Sequence, residues 1–382
     1  MPTIVLSGAT GFLGAHLMAR MLSAGVAVLA LTRGTPAFAG RRLVRALHFA
    51  GLPAAGHFLQ TGQLRVVPAD LHRQQLGAEP PVFQQLADEA DEIWHSAACT
   101  DLQAPWEVVS QVNVDGTRRM LHLAAAGRRR PRFVHISTAF VAGGRPTGMI
   151  GADALDASHG FLTPYEESKY HAEQLVRAWA AEGRRALVLR PSTLLSDRPP
   201  GLRGPRHPHA ALRLKLNRLA AHGPHALAQR FGLAPDAEGN VQIRLPGRPD
   251  SLINLTPVEY AADAMIRLAR ADSAPGTTTH HVVHPADTPL AHWLGAMAAN
   301  APWVRTRIVG HLPDPTSLET FVASLLPGSD RYSYHRRHYE RTALDLAEQR
   351  DGAAAPPALD ATYLKAALSS PARPTTPLHS GI

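Results

Sequence analysis

The feature that most constrains the fold is a glycine pattern and the place where it stands. Gly8-Ala9-Thr10-Gly11-Phe12-Leu13-Gly14 follows the apolar, strand-like run Thr3-Ile4-Val5-Leu6-Ser7 and opens a helical pattern that runs to about Ala24. A strand that turns into a helix through glycines leaves the first backbone N–H groups of the helix unpaired and approachable, which is how a chain cradles a phosphate. Gly8 then permits the tight turn, Gly11 lets the backbone approach a pyrophosphate, and Gly14 allows close helix–strand packing. Thr10, Phe12 and Leu13 complete the candidate cofactor loop.

The alternation continues along the chain. Strand-like runs follow at Ala27-Val28-Leu29-Ala30-Leu31, Leu64-Arg65-Val66-Val67, Glu92-Ile93-Trp94-His95, Arg132-Phe133-Val134-His135-Ile136 and Ala186-Leu187-Val188-Leu189, with helix-length segments between them. Short apolar strands joined by helical crossovers predict an α/β fold, a Rossmann-type doubly wound parallel sheet. After Pro199-Pro200-Gly201 the composition shifts to Arg, His, Pro and Ala, with a helix expected from about His209 to His222. This marks a smaller, mostly helical C-terminal substrate lobe. Residues 252–270 look like a strand and an amphipathic helix returning to the sheet. The predicted organisation is therefore residues 1–197 with 252–284 as the dinucleotide-binding domain, 198–251 with 285–365 as the substrate lobe, and 366–382 as a flexible, Pro-rich tail.

Composition narrows the function classes. With 45% hydrophobic and 18% charged residues the 382-residue chain can bury a sizeable core. Its single cysteine, Cys99, cannot form an internal disulfide and reads as a packed small hydrophobe, which fits a reducing, cytoplasmic setting. No apolar stretch reaches the ~18 residues of a membrane span, and the opening strand leaves no room for a secretory signal. The formal net charge of +8 invites an anionic partner. The arginines are scattered and lack the interleaved aromatics of a base-stacking surface, so nucleic acid is not expected. Among 21 histidines no His-Glu-x-x-His occurs, and His280-His281-His284 and His207-Pro208-His209 lack carboxylates at ligand spacing, so no metal site is expected.

Two further groups of residues carry chemistry. The second strand ends at Thr32-Arg33-Gly34, where an acidic residue would read an unphosphorylated ribose; an arginine there favours the 2′-phosphate of NADP(H), with Arg41 or Arg42 as a second clamp. Asp70, after the third strand, is placed to border the adenine. Thr163-Pro164-Tyr165-Glu166-Glu167-Ser168-Lys169 puts a phenol and an ammonium four residues apart on one helix face. The lysine charge is expected to lower the Tyr165 pKa and make the phenol a proton donor to a carbonyl receiving hydride. Thr138, at the end of the strand before, could hold the same oxygen. Ser137 lacks a glycine-flanked nucleophile elbow and reads as a structural serine.

Taken together, these motifs resemble the extended short-chain dehydrogenase/reductases, and more narrowly their thioester reductase and fatty acyl-CoA reductase (male sterility) branch. The resemblance runs from residue 2 to about 270. It rests on the glycine loop; Leu31-Thr32-Arg33-Gly34 with Arg42-Leu43; Ala69-Asp70-Leu71 with Leu76-Gly77; Ile93-Trp94-His95-Ser96-Ala97-Ala98; Asn113-Val114-Asp115-Gly116-Thr117; and Ser137-Thr138, Tyr165, Lys169 and Leu189-Arg190-Pro191-Ser192. It implies that Thr138, Tyr165 and Lys169 are catalytic and that Asn113 supports the lysine through a backbone-bound water. It also implies that Ser96, Ala97 and Ala98 lie along the cofactor and that Pro191 and Ser192 abut its nicotinamide, while Leu71 stands with Asp70 where the chain would border the adenine. Ala69 stands where the family has glycine, Ser96 where it has asparagine, and Ser196-Asp197 where relatives often carry Gly-Asp. The departures at Ala69 and Ser96 touch no proton-transfer group.

The function implied is NADPH-dependent transfer of hydride to an acyl thioester, borne on coenzyme A or on an acidic acyl or peptidyl carrier protein, giving an aldehyde or alcohol in lipid or secondary-metabolite biosynthesis. The motifs are shared with nucleotide-sugar epimerases and dehydratases and with hydroxysteroid-type dehydrogenases. A non-catalytic NADP-sensing protein is the alternative of another class, and it would have no use for an intact proton-transfer set.

Overall fold

A computed structural model describes residues 2–53, 55–198, 221–299, 301–325, 328 and 330–368. The first half runs β1 (Thr3–Ser7), α1 (Phe12–Ser23), β2 (Ala27–Thr32), α2 (Pro36–Phe49), α3 (Ala55–Gln60), β3 (Leu64–Pro68), α4 (Pro80–Glu89), β4 (Glu92–His95), α5 (Trp106–Ser110), α6 (Gly116–Ala126), β5 (Arg132–Ile136), β6 (Thr147–Ile150), α7 (Pro164–Ala181), β7 (Arg185–Pro191) and β8 (Thr193–Leu195). The second half runs α8 (Gly223–Phe231), β9 (Val241–Pro246), β10 (Leu252–Ile253), β11 (Leu255–Pro257), α9 (Val258–Ala271), β12 (Gly276–Val282), β13 (Thr288–Pro289), α10 (Leu290–Ala298), β14 (Val304–Val309), α11 (Ser317–Leu325), β15 (Arg336–Tyr339), α12 (Thr342–Asp351) and α13 (Ala361–Leu368).

Seven strands form one sheet in the order β12-β7-β5-β4-β1-β2-β3. Every pairing in it is parallel. Parallel strands need both faces covered, and the residue alternation supplies two apolar faces. Ile4 and Leu6 of β1 join Val134, Leu187 and Leu189 in a core under α1, α2 and α9. Val5 joins Ile93, Phe133 and Val188 in a second core under α4, α6 and α7. The strand order reverses direction between β1 and β4, so loops on either side diverge there and leave a crevice at the carboxyl ends.

Helix α7, which carries the Tyr165 and Lys169 motif, starts where its sequence dictates. Thr163 caps it by accepting from the Glu166 N–H at 3.4 Å, Pro164 takes the first turn, and Glu166 and Glu167 meet the positive end of the dipole.

After β11 the chain returns to the sheet through α9 and β12, which pairs with β7. Short strand pairs join the helices of the lobe: β9 with β14, β10 with β13, and β15 with β6, which belongs to the first half of the chain. Two boundaries differ from those expected. α12, assigned by sequence to the substrate lobe, packs on α9 and places Leu344 and Ala347 in the same core as Ile4. The boundary expected at 366 falls inside α13, whose Leu364, Ala367 and Leu368 pack with Trp293 of α10. Its apolar spacing at positions 364, 367 and 368 explains why: it is one helical face. The composition break after Gly201, the helix expected from His209 and residues 369–382 lie outside the described residues.

Candidate active site

The glycine loop is built around contacts that tolerate no side chain. Gly8 has φ +77°, and a Cβ there would stand 2.7 Å from the Ala97 nitrogen and 2.8 Å from the Ser96 carbonyl carbon. A Cβ on Gly14 would stand 2.1 Å from the Gly8 carbonyl oxygen. The loop is thus pressed between β1, α1 and the Ser96-Ala97-Ala98 segment that follows β4. Gly11 donates its N–H to Gly8 O at 2.8 Å and begins α1 with no acidic residue in the first turn, so the helix start is kept for an anion from outside. These features fit a pyrophosphate. Phe12 and Leu13 keep their side chains in the core, Phe12 against Phe49 with ring centroids 5.7 Å apart. They can offer a ligand their backbone only.

At the outer side of the loop, Arg42 reaches from α2 and donates to Thr10 Oγ1 at 2.9 Å, with its guanidinium 5.9 Å from the Phe38 ring centre. Arg33 is exposed at the end of β2, and its charge acts on Asp70. The Asp70 carboxyl is held below its usual range, first by the backbone N–H of His72 and then by the His72 side chain. Leu71 accepts from Arg119 through its carbonyl at 2.8 Å. Two cations and one fixed carboxylate therefore ring the place beyond the glycine loop.

Thr138 and Tyr165 meet at the carboxyl end of β5. Thr138 Oγ1 accepts from the Phe140 N–H at 3.2 Å and is hydrogen-bonded to the Tyr165 hydroxyl. Burial pushes the phenol up to about 12 against this bond, with the Glu166 and Cys99 charges adding to the rise. This corrects the expectation that Lys169 lowers it. The reason is geometric: Lys169 Nζ is turned inward and donates to Ile136 O at 2.6 Å, with His135 Nε2 at 3.4 Å. Burial lowers the amine to about 7. Asn113 sits in a π-turn, Gln111–Asp115, between α5 and α6. Its side chain bonds both backbone groups of Cys99, at 2.8 and 3.0 Å, and donates to Ser168 Oγ at 2.8 Å, while Ser168 Oγ donates to Tyr165 O at 2.7 Å. Asn113 thus reaches the α7 pair through Ser168. Ser192 Oγ lies 2.7 Å from Thr256 Oγ1, and Pro191 is in register with Val282 of β12, so both are fixed by the last sheet strand.

Several residues at the site were not singled out by sequence reasoning. His95 links the two halves: Thr117 Oγ1 donates to Asn113 O at 2.6 Å, so it accepts from His95 Nε2 at 3.1 Å, and Ser7 Oγ then donates to His95 Nδ1 at 2.8 Å. Burial holds this imidazole neutral, at about 3. From the lobe, Tyr332 donates to Glu166 Oε1 and stacks near Phe140 with centroids 4.9 Å apart. Histidine at the end of two apolar strand runs was the one visible signal for the first of these.

A glycine cradle at the switch point of a parallel sheet, facing a buried tyrosine with a hydroxyl partner, defines the NAD(P)-dependent oxidoreductases of the extended short-chain dehydrogenase/reductase class. Within that class the chain belongs to the Male sterility protein family, whose model matches residues 6–265. It is 27% identical over 342 residues to the L-2-aminoadipate reductase large subunit of Penicillium chrysogenum, covering 84% of this chain and 22% of the relative. It is 29% identical over 357 residues to the carboxylic acid reductase of Mycobacterium tuberculosis, covering 87% of this chain and 29% of the relative. The chain therefore spans less than a third of the length of either. Its fold is that of the terminal R domain from the myxalamid PKS-NRPS biosynthetic pathway, with a TM-score of 0.73 at 23% identity, covering 96% of this chain and 90% of that domain. Among the described residues no helix is long and apolar enough to cross a membrane and no group of three or more candidate metal ligands occurs.

Proposed function

We propose that the chain is an NADPH-dependent reductase of acyl thioesters carried on coenzyme A or on an acidic carrier protein, releasing an aldehyde or, after a second reduction, an alcohol. The observation that carries this reading is the Thr138–Tyr165 hydroxyl pair, buried and hydrogen-bonded beside a cradle that accepts only backbone. The nicotinamide nucleotide supplies the hydride. Tyr165, raised to about 12, keeps its proton at neutral pH and is available to give it to the oxygen of the carbonyl being reduced. Thr138 orients that oxygen. From a thioester the product of this step is a hemithioacetal, whose C–S bond breaks to release aldehyde and thiol. Lys169 holds the cofactor ribose, and Asn113 steadies the α7 backbone beneath Tyr165.

Arg33 and Arg42 support the preference for the 2′-phosphate, because a guanidinium pairs a phosphate in a fork and no acidic residue takes the ribose-reading position. The relatives named as reductases of an amino acid and of carboxylic acids support an acyl substrate. The net charge of +8 suits coenzyme A or an acidic carrier. The division expected from sequence is proposed with two changes: α12 goes with the nucleotide-binding half, and α13 stays whole with the substrate lobe. The deciding experiment incubates the protein with NADPH or NADH and a panel of acyl-CoA thioesters, acyl-carrier thioesters, aldehydes and nucleotide sugars. Cofactor oxidation with thioesters is the expected result; silence with every thioester and aldehyde overturns the proposal.

A further inference from the structure

Two imidazoles are buried side by side at the carboxyl ends of β4 and β5, where the neighbouring strand positions are apolar. His95 and His135 are 1% and 0% exposed, with ring centroids 5.7 Å apart. His95 has a complete set of partners in Ser7 and Thr117. His135 does not: its Nδ1 is buried with no hydrogen-bond partner among the described residues, and its Nε2 faces Lys169 Nζ at 3.4 Å. Stacked against Phe133 at an interplanar angle of 15°, the ring occupies a space that an apolar ring would fill without leaving a polar nitrogen dry. The cost of that orphaned nitrogen is explained by what the other nitrogen does. An ammonium has no lone pair, so His135 Nε2 accepts from Lys169 and the imidazole proton sits on Nδ1. Ile136 O supplies the second acceptor at 2.6 Å.

We infer that His135 is a positioning residue for the cofactor site, acting through Lys169: its Nε2 lone pair, with the Ile136 carbonyl, holds the lysine ammonium in its charged form at the base of the crevice. The inference rests on the reading that Lys169 binds the cofactor. The titratable and charged groups around the lysine are few. From the sheet they are His135 and His95, both held neutral by burial. From α7 itself they are Tyr165 and Glu173, and the Glu173 carboxylate is engaged by Arg190, Arg177 and Ser137. Burial drives the lysine towards its neutral form, to about 7. The acceptor on His135 opposes that, and removing it leaves one acceptor against the same burial.

The test measures NADPH affinity by nicotinamide fluorescence across pH 6–9 for the wild type, His135→Phe, His135→Gln and Lys169→Met. Affinity falls as pH rises through the lysine titration, and the 2′-phosphate titrates alike in all four proteins. In His135→Phe the midpoint of that fall moves down by about one pH unit, the size of a hydrogen bond to a charged group. His135→Gln, whose amide oxygen can accept from the ammonium, keeps the wild-type midpoint. An unmoved midpoint in a folded His135→Phe protein overturns the inference; should that variant not fold, His135→Met, also without a nitrogen lone pair, is read in the same way. If instead Lys169→Met binds NADPH with wild-type affinity and pH profile, the role of Lys169 is wrong and the inference falls with it.

Discussion

Glu173 and Arg190 form an ion pair in which both side chains are fully buried. Arg190 Nη2 and Nε donate to the carboxylate at 2.5 and 3.1 Å, and Ser137 Oγ and Arg177 supply its remaining bonds. The pair ties α7 to β7 one turn after Lys169 and one residue before Pro191. Breaking a buried pair from one side costs about 3–5 kcal/mol, because the partner is left charged and dry. The two sides are unequal here. Arg190→Met leaves a carboxylate that still has Arg177 and Ser137 and can take up a proton. Glu173→Met leaves a guanidinium that cannot lose its proton and keeps only the Ala152 carbonyl at 2.8 Å. We therefore expect a loss near ~3 kcal/mol for Arg190→Met and nearer ~5 kcal/mol for Glu173→Met, with the double variant losing less than the Glu173 variant alone. Urea unfolding of the cofactor-free protein at constant m-value reads all three. Additive losses, or a larger loss for Arg190→Met, would refute the reasoning.

Tyr165→Phe should fold normally and reduce turnover by at least ~10²-fold, the usual contribution of a positioned acid; unchanged turnover removes Tyr165 from the chemistry. Arg33→Ala should lower the preference for NADPH over NADH roughly tenfold, since a charge-assisted bond to phosphate is lost while NADH has no such group; the ratio of the two dissociation constants checks it. Lys169→Met should raise the stability of the cofactor-free protein, and more at pH 7 than at pH 9. The buried amine titrates at about 7 when folded and near 10.5 when unfolded, so in that window the unfolded chain holds the extra proton and the wild type gains up to about 1.4 kcal/mol per pH unit as pH rises. Unfolding free energies of both proteins at the two pH values decide it.

Much of this molecule is legible from its sequence because the information is local. The apolar runs at 4–6, 28–31 and 186–189 are sheet strands, and the glycine spacing at 11 and 14 records close approaches to the Gly8 carbonyl a few residues back. A glycine pattern says which residues flank a phosphate without saying which way their side chains point; at this helix start Phe12 and Leu13 both face the core. The Tyr165 pKa was misread for a related reason. A four-residue spacing aligns Tyr165 and Lys169 on α7, but the direction of the lysine is chosen by Ile136 and His135 on another element. Tyr332 is more distant still, 166 residues from the glutamate it touches, and nothing in either segment announces the other.

The return of α12 to the nucleotide-binding face sets how this protein can be cut and recombined. Leu344 is wholly buried against the helices of that half, Arg341 is bonded to the Val283 carbonyl at 2.6 Å, and Tyr260 to Glu348 at 2.5 Å. A cassette ending at residue 284 would expose the apolar seat of α12, and a chimera that exchanged everything beyond that point would bring a foreign helix to it. Crossovers that transplant a different substrate lobe belong at 284 and 340, with residues 341–351 left to the host.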